Sequence, residues 1–341
     1  MRALPIVSEY VEGAVSLESG EGWIRPWRLP FRELPLFAAT LVERAECTSG
    51  VRLRFDTDAT ALGLRFDPLP TSAHHEGMMF DVTVGGDLVQ SIAAPRGATS
   101  VCFSGLPPGW KTLEVWLPQE CGVRLRGMDV NDGAECRAVE DRRPKWVTYG
   151  SSLTHCVRAH SPARIWPAIV ARHHGLNLTS LGYGGNCCLE PLVGCMIRDL
   201  PADFISLKLG INCISGALSP RTFPSAVVGL VKIIREKHPQ TPIALISPIA
   251  YPPNEEKPNI LNYTIAQMRA DIADMHRRLV ELGDGNLYYF DGLSIFNERE
   301  IAYYTTDQCH PNGDGIEVMA RHFLETVMAF PPIRNRILPG D

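Results

Sequence analysis

The chain of 341 residues is longer than one typical domain and predicts about two. Hydrophobic residues make up 45% and charged residues 21%, a composition typical of globular proteins with a sizeable core. The formal net charge of −5 offers no basic face for nucleic-acid phosphates, and no apolar run approaches the roughly 18 residues of a membrane-spanning helix. We therefore expect neither a nucleic-acid partner nor a membrane partner.

The N-terminal segment and the cysteines indicate a reducing compartment. Residues 1–13 lack the long apolar core of a secretory signal because Pro5 and Glu9 interrupt it, so we expect a cytoplasmic protein. The ten cysteines include no C-x-x-C pair, so the spacing of a zinc ribbon or a thioredoxin motif is absent. Free thiols are the expectation in such a compartment, and a vicinal bridge between Cys187 and Cys188 stays open.

Short runs of alternating apolar and polar residues dominate the first 140 residues. Alternation of this kind places one face of a strand on a core and the other in water. Glycine and proline turn signals separate the runs. This pattern predicts an antiparallel β-sandwich or jelly roll over residues 1–142. The runs lie at 51–55, 61–66, 80–84, 112–117 and 122–130.

Strand patterns alternate with helical patterns over residues 143–335. The strand runs are almost continuously apolar, as strands buried on both faces must be, and predict a parallel sheet with helices on both faces. Ligands of such sheets bind beyond the carboxyl ends of the strands. The strands are predicted at 146–149, 178–181, 204–209, 243–247 and 287–290, and the helices from Ser161-Pro162 and at 221–238, 262–282 and 313–328.

Several familiar catalytic motifs are absent. The sequence has no G-x-S-x-G nucleophile elbow, no P-loop and no G-x-G-x-x-G dinucleotide fingerprint. The run His74-His75-Glu76 lacks the second histidine of the H-E-x-x-H zinc motif, and we interpret it as a loop.

Glycine and polar residues follow three of the predicted strands, and a fourth polar segment precedes the last predicted helix. Each block alone is also explained without catalysis, since Gly-Ser-Ser caps helices, glycine-rich segments form turns and aspartate favours helix starts. Together they place serine, asparagine, aspartate and histidine at strand ends. The blocks are GSSLT at 150–154, GYGGN at 182–186, GIN at 210–212 and DQCHPN at 307–312.

These four blocks resemble those of the SGNH (GDSL) hydrolase family. That family has a serine in a G-D-S-type turn, a glycine after the second strand, a G-x-N and a D-x-x-H, in this order. The resemblance covers residues 145–330 and is closest to members whose first block begins with Y-G-S-S and that carry an N-terminal β-domain. It implies a flavodoxin-like α/β/α sandwich with a parallel five-stranded sheet, and a serine ester hydrolase that needs no cofactor.

The resemblance assigns a role to each block. Ser152 is the nucleophile, His310 is its general base, and Asp307 orients the imidazole and stabilises the imidazolium. The oxyanion hole consists of the backbone N–H groups of Ser152 and Gly185 and the side-chain amide of Asn212. Serine needs such a base because its hydroxyl is a weak nucleophile until the proton is removed.

Two positions beside the nucleophile depart from the pattern or compete with it. Ser151 stands where the family has an aspartate, but that position takes no part in the chemistry. His155 is a second candidate base, but only His310 has a carboxylate at a fixed spacing. Five cysteines lie close to the blocks, and we expect them to line the pocket as small apolar residues and expect no metal, since the alternative zinc site with His155 lacks standard ligand spacing. These cysteines are Cys156, Cys187, Cys188, Cys213 and Cys309.

The substrate is predicted as a small-molecule or carbohydrate ester. We expect Ile211, Cys213, Tyr251 and Tyr303 to contribute to the pocket walls. Family members with an N-terminal jelly roll imply removal of a small acyl group, first of all acetyl, from a sugar or other small alcohol. A thioesterase, a lipase, a tailoring hydrolase of a biosynthetic pathway and a non-catalytic binding protein are the alternatives. The role of the β-domain and formation of a homo-oligomer stay open.

Overall fold

The computed structural model describes residues 1–69 and 77–338, so the loop predicted at His74-His75-Glu76 lies outside the described residues. The strands are β1 (Arg2–Leu4), β2 (Val11–Glu12), β3 (Ser16–Gly20), β4 (Trp23–Trp27), β5 (Arg52–Thr57), β6 (Ala61–Pro68), β7 (Gly77–Val84), β8 (Asp87–Pro95), β9 (Ser100–Ser104), β10 (Lys111–Trp116), β11 (Val123–Val130), β12 (Cys136–Arg137), β13 (Lys145–Gly150), β14 (Asn177–Gly182), β15 (Phe204–Lys208), β16 (Ile243–Ile246) and β17 (Leu287–Phe290). The α-helices are α1 (Ala39–Ala45), α2 (Ser152–His155), α3 (Trp166–His174), α4 (Pro191–Asp199), α5 (Phe223–Arg235), α6 (Ile265–Glu281), α7 (Gly313–Phe323) and α8 (Pro331–Ile337).

The N-terminal half is a β-sandwich. Over the described residues it has two antiparallel sheets of six strands each. The first sheet runs β3-β4-β11-β6-β9 with β1 beside β11, and the second runs β12-β5-β10-β7-β8 with β2 beside β5. Alternate residues of the strands, such as Leu53 and Phe55 of β5 and Leu113 and Val115 of β10, are fully buried in one core. The alternating runs therefore predicted this half correctly.

The outer face of the second sheet is not solvated, and the prediction of a wet face is wrong here. Arg52 and Glu114 point away from the core, yet their exposed fractions are only 1% and 5%. The segment that includes α3 covers them. Its Ala163 donates a backbone hydrogen bond to Asp81 at 2.7 Å, and Arg52 donates one to the backbone oxygen of Leu178 at 3.0 Å.

The C-terminal half contains the predicted parallel sheet. Within the described part of the chain it has five strands in the order β14-β13-β15-β16-β17. The pairings of β13 with β15, β15 with β16 and β16 with β17 are parallel. The predicted fold class, an SGNH-type parallel sheet after an antiparallel β-sandwich, is confirmed.

The contacts of the chain form two compact units. The first unit is Met1–Arg143 with His160–Ser180, and the second is Pro144–Ala159 with Leu181–Asp341. The segment His160–Ser180 belongs to the first unit because it covers the second sheet. The domain limits predicted at 1–142 and 143–335 stay predictions.

The helices differ from the predicted ones mainly at their ends. Ser161-Pro162 opens a 3-10 turn, Pro162–Arg164, and α3 begins only at Trp166, where Pro167 again occupies a first-turn position. The short helices α1 and α4 and the strands β1–β4, β8 and β9 carried no clear periodic signal. None of the described helices is long and apolar enough to cross a membrane.

Candidate active site

The candidate nucleophile lies where β13 passes into α2. Ser151 is the N-cap residue of α2, and its hydroxyl accepts a hydrogen bond from the backbone N–H of Leu153 at 3.2 Å. Ser152 is the first residue of the helix, so its hydroxyl is not used for capping. The strand, turn and helix start expected from the sequence are present, and the two neighbouring serines have different partners.

Two glycines allow tight packing around this turn. A Cβ atom at Gly150 would lie 2.2 Å from Oγ1 of Thr154, and one at Gly182 would lie 2.2 Å from the backbone nitrogen of His155. Both distances are far below van der Waals contact. A larger residue at either position would therefore displace α2 from the ends of the strands.

Ser152, His310 and Asp307 form a continuous chain of hydrogen bonds. Oγ of Ser152 lies 2.7 Å from Nε2 of His310, and Nδ1 of His310 lies 2.9 Å from Oδ2 of Asp307. The second candidate base, His155, is fully buried at the end of α2. The structure thus brings the predicted serine, histidine and aspartate together in the predicted order.

The carboxylate of Asp307 is held by its own loop. Its Oδ1 accepts hydrogen bonds of 2.9 Å from the hydroxyl of Thr305 and from the backbone N–H groups of Cys309 and His310. Burial by itself raises the pKa of Asp307, but these hydrogen bonds outweigh it and hold the pKa well below its usual range. The D-x-x-H spacing therefore fixes the carboxylate and the imidazole within one rigid segment.

Arg158 is a neighbour of Asp307 that sequence reasoning missed. Its Nη2 lies 3.5 Å from Oδ2 of Asp307, the oxygen that also faces His310, and its side chain is half-exposed. Arg158 follows α2, which ends after one turn at Cys156 with a left-handed φ of 59°. Only its closeness to Ser152 in sequence could have suggested it, because no family block includes this position.

Backbone and amide contacts connect the predicted oxyanion donors. A Cβ atom at Gly184 would lie 3.5 Å from Cβ of Ser152, so the turn containing Gly185 passes directly beside the serine. Gly185 has a φ of +74°, which favours glycine. Oδ1 of Asn212 accepts a hydrogen bond of 2.9 Å from the backbone N–H of Cys187. This bond fixes the amide orientation and leaves the NH₂ group as a donor.

A small recess adjoins Ser152 and His310. Its walls are mostly apolar, and none of the predicted wall residues lines it. Ile211 and Cys213 are buried, Tyr251 is half-buried and Tyr303 is exposed, so their contact with substrate stays a prediction. The recess is lined by Ser152, Leu153, Cys156, Val157, Arg158, His310, Pro311, Ile316 and Met319.

Burial raises the pKa values of several thiols near the blocks, which favours their protonated form. Burial raises the pKa of Cys188 and of Cys309 to about 11, and it raises the pKa of Cys187 well above its usual value. Thiols in this state are poor nucleophiles. None of the ten cysteines, all of which the structure describes, forms a disulfide, so Cys187 and Cys188 are not bridged.

Lys208 is a buried cation at the end of the central strand β15. Its exposed fraction is 4%, and burial lowers its pKa to about 8, although the neighbouring thiols favour the charged form. Among the residues that the structure describes, no three histidine, cysteine, aspartate or glutamate side chains lie together as metal ligands would.

Comparison with known proteins shows the family of this chain. Residues 144–328 match the model of the GDSL-like lipase/acylhydrolase family, which is more than half of the chain. The chain belongs to this family. A second family model, that of the N-terminal domain of SsfX3, matches residues 9–126 of this GDSL-like acylhydrolase. The resemblance found in the sequence is therefore confirmed.

Several solved structures match the chain over both the β-sandwich and the half with the parallel sheet. The salicylyl-acyltransferase SsfX3 from a tetracycline biosynthetic pathway is 34% identical, with a TM-score of 0.90 over 98% of this chain and 99% of that chain. A protein described as a GDSL-like lipase from Bacteroides ovatus is 21% identical, with a TM-score of 0.76 over 93% and 94%.

A family two carbohydrate esterase from Clostridium thermocellum, in complex with cellohexaose, is 14% identical, with a TM-score of 0.66 over 93% and 98%. The last two structures share the fold alone. No curated protein sequence matches the chain.

Proposed function

We propose that this protein is a serine ester hydrolase that removes a small acyl group through an acyl-serine intermediate. The hydrogen-bonded chain from Ser152 through His310 to Asp307 carries this proposal. A serine hydroxyl becomes nucleophilic only when a base lies within hydrogen-bonding distance, and 2.7 Å meets this requirement.

Acylation begins when Oγ of Ser152 attacks the carbonyl carbon of the ester. The hydroxyl proton passes to Nε2 of His310, and Asp307 stabilises the resulting imidazolium through Nδ1. The carbonyl oxygen becomes negatively charged and receives hydrogen bonds from the N–H groups of Ser152 and Gly185 and from the amide of Asn212. The intermediate then collapses, and the leaving alcohol takes the proton from His310.

Deacylation uses the same groups with water in place of the serine. His310 removes a proton from water, the hydroxide oxygen attacks the acyl carbon, and a second oxyanion forms in the same hole. Its collapse returns the proton to Oγ of Ser152 and releases the carboxylic acid. No step requires a cofactor, since the proton and the electron pairs move among these groups alone.

An acetyl group on a carbohydrate or other small alcohol is the proposed substrate. The narrow recess beside Ser152 supports a short acyl chain, because its buried walls include Leu153, Ile316 and Met319. The carbohydrate part is supported by the fold shared with a family two carbohydrate esterase. This is analogy of fold, which carries less weight than the site itself.

Replacement of the two serines tests the proposal. We expect Ser152→Ala to reduce hydrolysis of p-nitrophenyl acetate by at least about 10³-fold. The matched variant Ser151→Ala loses only a helix cap, and we expect it to keep most of the activity. A fluorophosphonate probe should label the wild type and the Ser151 variant only. Equal activity or labelling in the Ser152 variant contradicts the proposal.

Acyl transfer to a small-molecule alcohol is a second candidate function. The salicylyl-acyltransferase of the tetracycline pathway favours it, because that protein is 34% identical over almost the whole chain. Hydrolysis and transfer share the acyl-serine and differ only in the acceptor. In the test, p-nitrophenyl acetate or an acyl thioester forms the acyl-enzyme. Water and added alcohols then compete for its acyl group, and the amounts of free acid and of new ester are measured. Ester products that grow with alcohol concentration, in place of free acid, indicate a transferase.

The same assay separates the remaining alternatives. A series of p-nitrophenyl esters and acyl thioesters of increasing chain length compares kcat/KM between short and long acyl groups. A maximum at long chains indicates a lipase, and preference for thioesters indicates a thioesterase. We expect the maximum at acetyl, because the recess beside Ser152 is small.

A further inference from the structure

A cavity of about 240 Å³ lies within the first unit, on the outer face of the second sheet. Charged side chains of the sheet and of the segment around α3 surround it. Three guanidinium groups and one carboxylate contribute to its walls, so positive charge exceeds negative charge there. It is lined by Arg54, Gly85, Gly86, Thr112, Glu114, Arg143, Arg172 and Gly175.

Two arginines form ion pairs with the carboxylates around this cavity. Nη2 of Arg143 lies 2.8 Å from Glu114 and 2.6 Å from Asp141. Arg52 lies 2.8 Å from Glu12 and 3.3 Å from Glu114. These distances are typical of charge-assisted hydrogen bonds. The carboxylates therefore already have close partners.

Among the described residues, Arg54 forms only long ion pairs, and one of its buried nitrogens has no hydrogen-bond partner. Its side chain is only 11% exposed, and its contacts with carboxylates are an approach of 3.5 Å to Glu12 and one of 3.8 Å to Glu114. Within the part of the chain that the structure describes, no hydrogen-bond partner lies near its buried Nη1 atom. A guanidinium has five N–H donors, and burying them unpaired is costly. Arg54 therefore has donors available for a ligand.

Within the described residues, Arg172 donates its hydrogen bonds to backbone oxygens and not to carboxylates. It donates to the backbone oxygen of Gly86 at 2.7 Å and to that of Ala163 at 3.1 and 3.2 Å. Its contacts within the described residues are with these carbonyl oxygens, which orient the guanidinium but do not neutralise it. Burial accordingly lowers the pKa of Arg172. The guanidinium of Arg172 thus faces the cavity with backbone oxygens as its hydrogen-bond partners, and Asp81, Glu114 and Asp87 favour its charged form from a longer distance.

We propose that this cavity binds a small oxyanion between Arg54 and Arg172. The ligand chemistry is that of a carboxylate or a phosphoryl group, since planar guanidinium groups match both. Gly85, Gly86 and Gly175 form part of the wall without side chains, and Cβ atoms at Gly85 and Gly175 would meet open space. The site lies in the first unit and does not depend on the proposed esterase activity.

Anion titration of the full-length protein tests this site. Sodium phosphate, sulfate and acetate are compared with sodium chloride at constant ionic strength, by calorimetry and by melting temperature. We expect saturable binding and a rise of the melting temperature beyond that in chloride. Binding of acetate identifies a carboxylate ligand, and binding of phosphate and sulfate alone identifies a phosphoryl ligand. An effect no larger than that of chloride overturns the proposal.

Two variants locate the bound ion. We expect Arg54→Gln to weaken binding roughly tenfold to hundredfold. Its melting temperature without added anion should equal or exceed that of the wild type, because a buried cation without hydrogen bonds is removed. Arg158→Gln is the matched control, since it removes the half-exposed arginine beside Asp307. Unchanged binding in the Arg54 variant, or loss of binding in the Arg158 variant, overturns the proposal.

A lysine variant keeps the test decisive if Arg54→Gln fails to fold. Arg54→Lys retains the charge but loses the planar fork. We expect it to lose acetate binding more than phosphate binding, because an ammonium group interacts with phosphate as a point charge. Wild-type affinity for both anions in this variant contradicts a site built on the guanidinium.

Discussion

The candidate catalytic residues of the second unit and the Arg52–Glu114 network of the first unit differ in how their charged groups are held. In the second unit, the side chains of Asp307, His310 and Arg158 are 38%, 30% and 50% exposed. In the first unit, those of Arg52 and Glu114 are 1% and 7% exposed and have several oppositely charged partners. Reactive groups must exchange protons and contact the substrate, so they need access to solvent. Buried structural ions must instead have a hydrogen-bonding or charged partner for each of their polar atoms. Exposure and the number of partners, more than charge itself, distinguish the two kinds of site.

Asp307→Asn gives the largest expected effect and should change activity without changing stability. The amide cannot stabilise the imidazolium, so we expect kcat to fall by roughly 10⁴-fold. Little change is expected in the free energy of unfolding, because the group is more than a third exposed. Ester hydrolysis and urea unfolding measure the two quantities. A large loss of stability with retained activity contradicts the assignment.

Glu114→Gln should show the reverse behaviour. Removal of Glu114 from this buried ionic network takes one carboxylate from Arg52 and one from Arg143, although both arginines keep Glu12, and costs roughly 3–5 kcal/mol of unfolding free energy. The change of charge lies in the first unit, so we expect the folded variant to keep its kcat. Urea unfolding of this variant beside the wild type gives the cost. A cost below about 1 kcal/mol, as for a surface ion pair, would mean that the network is not buried in solution.

Asn212→Asp sharpens the assignment of the oxyanion hole. Aspartate keeps the oxygen that accepts from the backbone N–H of Cys187, but it lacks the NH₂ donor and adds negative charge. We expect kcat to fall by at least roughly 10²–10³-fold, with KM nearly unchanged. Asn212→Ala should lose a similar factor in kcat. Wild-type kcat in the aspartate variant would exclude this amide from the hole.

Arg158→Gln should shift the pH dependence of the reaction. The guanidinium weakens the support that Asp307 gives to the imidazolium, because both face Oδ2. Without it the imidazolium is more stable, and the acid limb of the kcat/KM profile moves to higher pH. We expect a shift of less than about one pH unit, since the pair is solvent-screened. Arg142→Gln, whose side chain is 82% exposed, is the control. A shift to lower pH would falsify this electrostatic role.

Glu120→Gln gives the smallest effect, on stability in the first unit. Burial raises the pKa of Glu120 from 4.5 to about 7. Between these values the unfolded state has lost a proton that the folded state keeps, so stability falls as pH rises. The variant should therefore gain stability relative to the wild type from pH 4.5 to about 7 and keep that gain above it. Urea unfolding at several pH values checks the slope. A constant difference across the range would contradict the shift.

The local sequence pattern was sufficient to predict most of the strands and the positions of the candidate site residues. Period-two alternation and continuous apolar runs predicted the strands. The family blocks placed Ser152 and Asn212 at strand ends and Asp307 and His310 before α7. These features are readable because neighbouring residues in sequence determine them. The strands β1 and β2, with three and two residues, are too short to produce a distinct period.

Long-range contacts could not be predicted in this way. The covering of Arg52 and Glu114 depends on residues about 50 or more positions away, and alternation alone suggests a wet face. The pairing of Arg158 with Asp307 joins positions 149 residues apart, outside every family block. Contacts between residues far apart in the chain produce no periodic pattern in the sequence around either residue. The sequence alone therefore does not distinguish a buried charged side chain from one in water.

The division of the first unit has a topological consequence. The chain passes between the two units after Arg143, after Ala159 and after Ser180, so no single cleavage separates them. Residues 1–143 expressed alone would leave the charged outer face of the second sheet in water and Arg52 without its backbone acceptor at Leu178. A β-sandwich exchanged between relatives must therefore carry its partner segment 160–180 with it.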